Sequence, residues 1–292
     1  MPDPSLRPSS VRLQRFLQII RAGNYPMKPF IMGNKQGETN LVKWFNYRIF
    51  FTVSGILATI LVWQILSMIF PRIIIASPAS TFVALVNLAT DGSLWRQLGY
   101  SLMRLLIGLG IGSLAGIGLG VVAGLNRRIQ LFLEPIRWVA MTVPAIIITV
   151  LALLWFGIGS APVIFMTAVI TVPITYVNTL EGMLAVDARI IEMSAIYRIP
   201  AGMRLREIYL PGIGSAIMAG LTLASGVGVR ALILAEFMGA RNGVGHSLFI
   251  AWTFLDTPAL FAWILVAFGL LGLVEFGVLR PVRDHLTRWK KT

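Results

Sequence analysis

The feature that most restricts this chain is a succession of apolar runs, each about 20 residues or longer and almost free of charge. A helix rises about 1.5 Å per residue, so each run can cross the roughly 30 Å hydrocarbon core of a bilayer. A soluble core would instead alternate apolar and polar residues at helical or strand period. Backbone groups in lipid must be hydrogen-bonded within their own structure, which leaves helices or a closed barrel. A barrel would show short alternating segments, and none is visible. The expectation is an all-α polytopic membrane protein with about six transmembrane helices, at about 49–70, 98–124, 138–157, 162–180, 214–237 and 259–280. Composition agrees: 57% of residues are apolar and 13% charged, against about 45–50% and about 25% in soluble domains.

A net charge of +13 would suggest nucleic acid in a soluble protein, so the placement of the 25 basic residues decides its meaning. Eight precede the first span, three (Arg127, Arg128, Arg137) follow the second, four (Arg189, Arg198, Arg204, Arg206) follow the fourth and five lie at the C-terminus. Only Arg72, Arg96 and Arg241 fall in the alternate loops. The positive-inside rule then puts both termini in the cytoplasm, with lipid and not nucleic acid as the basic residues' partner. Residues 1–47 are read as a cytoplasmic segment and 48–292 as the transmembrane domain. Within the segment, Leu13, Phe16, Leu17 and Ile20 recur at helical spacing between Arg12 and Arg15, as in a basic amphipathic helix on lipid headgroups; a target-recognition helix is the alternative. Between the first two spans, Ser77-Pro78 opens a short helix through Phe82, Leu85, Val86 and Ala89 that stops at Asp91-Gly92.

Three features inside the spans stand out. Gly108, Gly112, Gly116, Gly120 and Gly124 repeat every four residues, a stripe without side chains that lets another backbone approach, within the chain or from a second copy. Pro144 and Pro173 each remove a backbone hydrogen bond, as expected either along a translocation path or at a packing kink. Arg104 and Arg230 lie within spans, where a cation costs about 2.5–3.5 kcal/mol at the centre. Arg104 is near the outer end of its span and is expected to snorkel to the headgroups. Arg230 is deeper and needs the bundle or a cavity; Glu236, six residues on, is no neighbour of it on a helix face.

Several chemistries are excluded. There is no cysteine, hence no thiol catalysis or thiolate metal site. No Gly-x-x-x-x-Gly-Lys-Ser/Thr loop occurs, so ATP, if used, is held by another chain. His246 and His285 are the two histidines, without metal-protease spacing, and Gly-x-Ser-x-Gly is absent. An intramembrane lipid enzyme and an ion-coupled secondary transporter remain as alternatives to an ATP-driven transport subunit.

The cytoplasmic stretch Glu192–Pro211, within a loop at about 181–213, reads as a short helix, a turn at Pro200 to Gly202 and a second basic amphipathic piece ending where span 5 begins. A solvated loop held to anionic lipid is the plain alternative. Its spacing resembles the "EAA" loop of permeases in binding-protein-dependent ATP-driven importers: Glu-Ala-Ala, three residues, Gly, nine residues, Ile-x-Leu-Pro. Glu192, Ile208, Leu210 and Pro211 lie in this register, with Ala195 and Pro200 counted in the same loop, while Met193 and Ser194 replace the two alanines and Arg198 the glycine, with Gly202 nearest. Leu94-Trp95, Gly124-Leu125-Asn126-Arg127-Arg128, Leu154 to Gly159, Asn178 to Asp187 and Ala235-Glu236 resemble the branch importing taurine, aliphatic sulfonates, nitrate or bicarbonate. The resemblance implies a type I importer (MetI-like) permease core and a homodimer of permeases. It implies ABC ATPase subunits carrying ATP and Mg²⁺ at the cytoplasmic face, and a solute-binding protein outside. No cofactor is expected on this chain. The loop would be the coupling helix, and Arg230, Pro144 and Pro173 the candidate path for a small anion, sulfonate first.

Overall fold

A computed structural model describes residues 35–197, 199–274 and 277, with side chains described from residue 50 onward except at 195 and 201. The amphipathic stretch Leu13–Ile20 lies outside the described residues. Every regular element among the described residues is helical. Among the described residues, four helices are long and apolar enough to cross a membrane, or five if a bent pair counts as one span. The chain divides into two compact units, Met1–Thr59 and Ile60–Thr292. The elements treated below belong to the second, apart from the first part of α1.

Helix α1, Lys35–Ile69, starts well before the apolar run that predicts it. Its continuation is closed by Trp63, whose indole N–H donates to the Ala76 carbonyl at 2.9 Å. Helix α2, Pro78–Thr90, begins as its residues dictate: the Ser77 hydroxyl accepts from the Ser80 N–H, and Pro78 occupies the first turn where no N–H is needed. Asp91 ends it, and Gly92 at φ 76° turns the chain into α3, Ser93–Leu125.

The run read as one span at 138–157 is two helices, α4 (Arg127–Thr142) and α5 (Ala145–Phe156), bent by 95° at Val143-Pro144. The cause is local. Pro144 lacks an N–H, and its ring drives Val143 into extended geometry (φ −66°, ψ 123°), which no α-helix can contain. Helix α4 buries no side chain and carries Arg127, Arg128 and Arg137, as an amphipathic surface helix does.

Gly157 (φ 70°) and Gly159 (φ 156°) make the tight turn into α6, Ser160–Leu184. Helix α6 is the most buried of the spanning helices, lying between α3 and α9 (Leu210–Gly239). The glycine stripe of α3 faces α6 within the same chain. Gly108, Gly112, Gly116, Gly120 and Gly124 meet Thr167, Thr171, Thr175, Thr179 and Met183, each pair 59 positions apart, so the two helices run parallel in constant register. A Cβ on Gly120 would lie 2.7 Å from that of Thr179. The threonine hydroxyls facing the first three glycines return their protons to carbonyls of their own helix, Thr167 to Val163, Thr171 to Ala168 and Thr175 to Thr171. These three hydroxyls are thereby satisfied without a partner across the seam. Pro173 sits inside α6 and does not end it.

Beyond α9, α10 (Val244–Thr253) and α11 (Thr257–Gly272) form a hairpin. Leu94, Val244, Leu248, Ala251, Trp263 and Val266 bury one another there. The sixth apolar run, 259–280, is helical through Gly272, and most of its remaining residues lie outside those described.

Candidate functional site

The loop expected to couple to a partner is built from three pieces. Helix α7, Ala188–Ile196, is followed by a turn in which Ile199 N–H reaches the Ser194 carbonyl at 3.0 Å. That six-to-one closure favours glycine just before the donor, which is where the importer motif has its glycine. The sequence places the turn at Pro200 to Gly202; the structure places it at Tyr197 to Pro200. Gly202 is already helical in α8, Ala201–Arg204, with open space where a Cβ would go. The reason is Pro200: it ends the turn, and its carbonyl accepts from the Arg204 N–H to start the next helix.

No break separates this piece from span 5. Helix α8 passes through a π-helical segment, Leu205–Tyr209, into α9, and residues Gly202–Gly239 form one continuous apolar helical rod. Pro211 explains the π turn. A proline ring collides with the carbonyl four residues before it, and the wider π turn, with Leu210 N–H bonded to the Leu205 carbonyl, makes room. Tyr209 and Ile213 bury against Met183, and Val186 and Ile191 pack beside them, seating the rod on α6 and α7.

The outward face of the loop is bare. Glu192 and Pro200 are exposed, as are Ile190, Met193, Ile196 (79%), Tyr197 (74%) and Met203. Leu210 and Pro211 are also exposed and Ile208 is half-buried. The Ala195 side chain and Arg198 lie outside the described residues.

Of the candidate path residues, Pro144 is exposed at the α4–α5 bend and Pro173 is buried in α6. Pro173 lines an apolar groove of about 240 Å³ with Tyr176, Leu119, Leu133 and Ile136. Neither Pro144 nor Arg230 borders that groove. Arg230 is exposed and forms no hydrogen bond or ion pair with another described residue. It shares one face of α9 with Ala219, Leu223, Val227 and Met238, all uncovered by this chain.

Arg104 departs furthest from expectation. It does not snorkel: its side chain is 5% exposed and that of Glu236 0%, with Arg104 Nη1 2.7 Å from Glu236 Oε1. The same nitrogen donates to the Asn242 carbonyl at 2.7 Å, Nη2 donates to Asn242 Oδ1, and Nε donates to Ser160 Oγ at 3.0 Å. The second carboxylate oxygen accepts from Ser101 Oγ at 2.7 Å and from Gly245 N–H at 3.0 Å, while Ser101 Oγ accepts from Val244 N–H at 2.8 Å. Glu236 therefore caps the start of α10. Any Cβ on Gly243 would strike its carboxylate, and one on Gly245 would come within 2.6 Å of its Cβ. The signal was present in sequence as two charges in apolar spans, each needing a partner.

Against known proteins, a family model described as the inner membrane component of binding-protein-dependent transport systems matches residues 112–282. A putative aliphatic sulfonates transport permease of Escherichia coli (strain K12) is 35% identical over 213 residues, covering 72% of this chain and 81% of that protein. Its counterpart in Bacillus subtilis (strain 168) is 27% identical over 235 residues, covering 80% and 85%. Among solved structures, an inward-facing MetNI methionine ABC transporter matches with a TM-score of 0.56 at 16% identity, covering 68% of this chain and 98% of that one, a likeness of fold.

Proposed function

The chain belongs to the family of inner membrane components of binding-protein-dependent transport systems, and from that premise we propose that it is the permease subunit of an ATP-driven importer for small sulfonates. The observation that carries the reading is the uncovered apolar face of α7 and α8 around Glu192. A patch holding Met193, Ile196, Tyr197 and Met203 is the kind of surface that a soluble partner buries. We assign that partner as an ABC ATPase holding ATP and Mg²⁺, with this end and both termini in the cytoplasm.

The mechanism follows from the continuity of the rod. Closure of two ATPase subunits displaces α7 and α8. Because α8 runs through the π segment into α9 without a loop, the displacement reaches α9 as a rigid-body movement. Arg230 lies about 30 Å along that rod from Leu210. A cation on an otherwise apolar exposed face is costly against acyl chains, so this face meets a water-filled path shared with a second copy of the permease. There Arg230 offers a positive potential to an anion delivered by a solute-binding protein at the opposite face. The sulfonate assignment rests on the two named relatives and on that charge.

The test is copurification and uptake. The wild-type chain should carry its ATPase through purification and support uptake of a short alkanesulfonate such as ethanesulfonate in proteoliposomes, dependent on ATP and binding protein. Glu192→Lys should abolish copurification while membrane insertion persists. Uptake without an ATPase would identify a secondary transporter and end this reading.

A further inference from the structure

We infer that Arg104 and Glu236 are positioning residues that weld α3, the first turn of α6, the end of α9 and the start of α10 into one body that stays closed throughout transport. The guanidinium uses all three of its nitrogens and the carboxylate both of its oxygens, on five separate segments: Ser101 and Arg104 in α3, Ser160 in α6, Glu236 in α9, Asn242 in the following turn, and Val244 and Gly245 in α10. A further bond, Gly243 N–H to Gln97 Oε1 at 2.7 Å, ties the same turn to α3. A switch needs two arrangements of similar free energy. This site has one, because parting α3 from α9 would strand two buried charges, and lifting α10 from either would strand the Val244 and Gly245 N–H groups.

The weld also sets the rotation of α9. Glu236 lies six residues, about 9 Å, beyond Arg230 on the same helix. With Glu236 held inward by Arg104, Ser101 and Gly245, Arg230 is held on the face away from α6. The end of the bundle that carries the weld must then open along the bare stripe of α9, between bodies and not within this one.

The inference rests on the permease reading for its setting, but its test does not. The chain has no cysteine, so single and paired cysteines report without background. Leu248, 8% exposed in α10, is replaced by cysteine and challenged with a water-soluble maleimide. In the isolated chain, adding Glu236→Gln should speed labelling at least tenfold; no change overturns the positioning role, whether or not any ATPase binds. In the complex with ATPase, labelling should be the same, within twofold, with and without vanadate trapping; a tenfold rise in either state overturns the weld. Leu94→Cys with Leu248→Cys, both in the apolar cluster shared by α3 and α10, crosslinks the two elements outside the weld. The oxidised pair should retain at least half the ATP turnover of its reduced form, whereas a tenfold loss reversed by reductant would show that the elements must part. Loss of the ATPase in the wild type would instead count against the permease reading alone.

Discussion

The two ends of the α8–α9 rod are built on opposite principles. At the Glu236 end, two charges are withdrawn from solvent and nearly every polar atom is matched inside the chain. At the Glu192 end, large apolar side chains stand uncovered and the charges reach solvent. Burying an ion pair contributes little to net stability, but it makes one arrangement mandatory, because each half is intolerable alone. An uncovered apolar patch specifies nothing by itself and gains meaning when a partner covers it. The contrast separates the part of the machine completed by folding from the part completed by assembly, and joins them by a helix with no hinge loop.

The contrast breaks first if the buried end tolerates damage. Glu236→Ala leaves Arg104 charged and unpaired in the interior, and Arg104→Ala does the same to Glu236; each should destabilise the chain by about 3–5 kcal/mol. In detergent this reads as loss of monodisperse protein or a large fall in the thermal midpoint. A midpoint unchanged by either substitution would mean that the pair is not buried as described.

Next in size is the seam that holds the rod's support. Gly116 faces Thr175 and the Val172 carbonyl so closely that any Cβ must displace backbone. Gly116→Val should therefore cost about 1–3 kcal/mol by overpacking. Gly118, one glycine along but with open space around it, serves as the control. Gly118→Val should cost under about 0.5 kcal/mol, as exposed substitutions do. Equal effects at both sites would mean that the stripe does not hold α3 to α6.

Legibility in the sequence depends on how local each signal is. The apolar runs are legible because lipid imposes one length on every crossing, and Ser77-Pro78 is legible because a cap is a matter of neighbouring residues. Pro144 announces a bend, yet its 95° angle splits the span in two because Val143 is forced extended, which a hydropathy window averages away. The glycine stripe announces a close contact but not with which helix. Its mate, Thr167, Thr171, Thr175 and Thr179, carries the same period of four and was the available clue. Arg104 and Glu236 are 132 residues apart. Arg230 is the nearer cation in sequence, but depth in the bundle, which sequence distance does not encode, gives Glu236 to Arg104. Pro211 reads as a helix start, whereas the π segment before it lets the helix run through.

At the loop end the expected effects pass from stability to binding. Ile196→Ala with Tyr197→Ala removes two side chains that touch little in this chain, being 79% and 74% exposed. The thermal midpoint of the isolated chain should stay within the equivalent of about 0.5 kcal/mol, while affinity for the ATPase falls at least tenfold, as for central interface residues worth above about 1 kcal/mol. Titration of the purified ATPase onto the immobilised chain measures it. Loss of stability with retained affinity would make the patch part of the fold and erase the difference between the two ends.

The smallest effect sharpens the comparison most, because Arg230 belongs to neither end. It is a charge like Arg104, under two helical turns from the weld, yet exposed like Tyr197. If exposure marks what assembly completes, Arg230→Gln should leave the isolated chain's stability and its ATPase affinity unchanged. A full charge facing a solvated path is screened, so its loss should lower uptake of ethanesulfonate by only about three- to tenfold, and the difference should shrink as salt is raised. Arg230→Lys, which keeps the charge but not the guanidinium fork, should recover most of the rate if the side chain acts through its field, and little if it binds the anion in two-pronged fashion. Unchanged uptake in Arg230→Gln at saturating binding protein would take this residue out of the path and leave the bare stripe of α9 as a packing surface between copies.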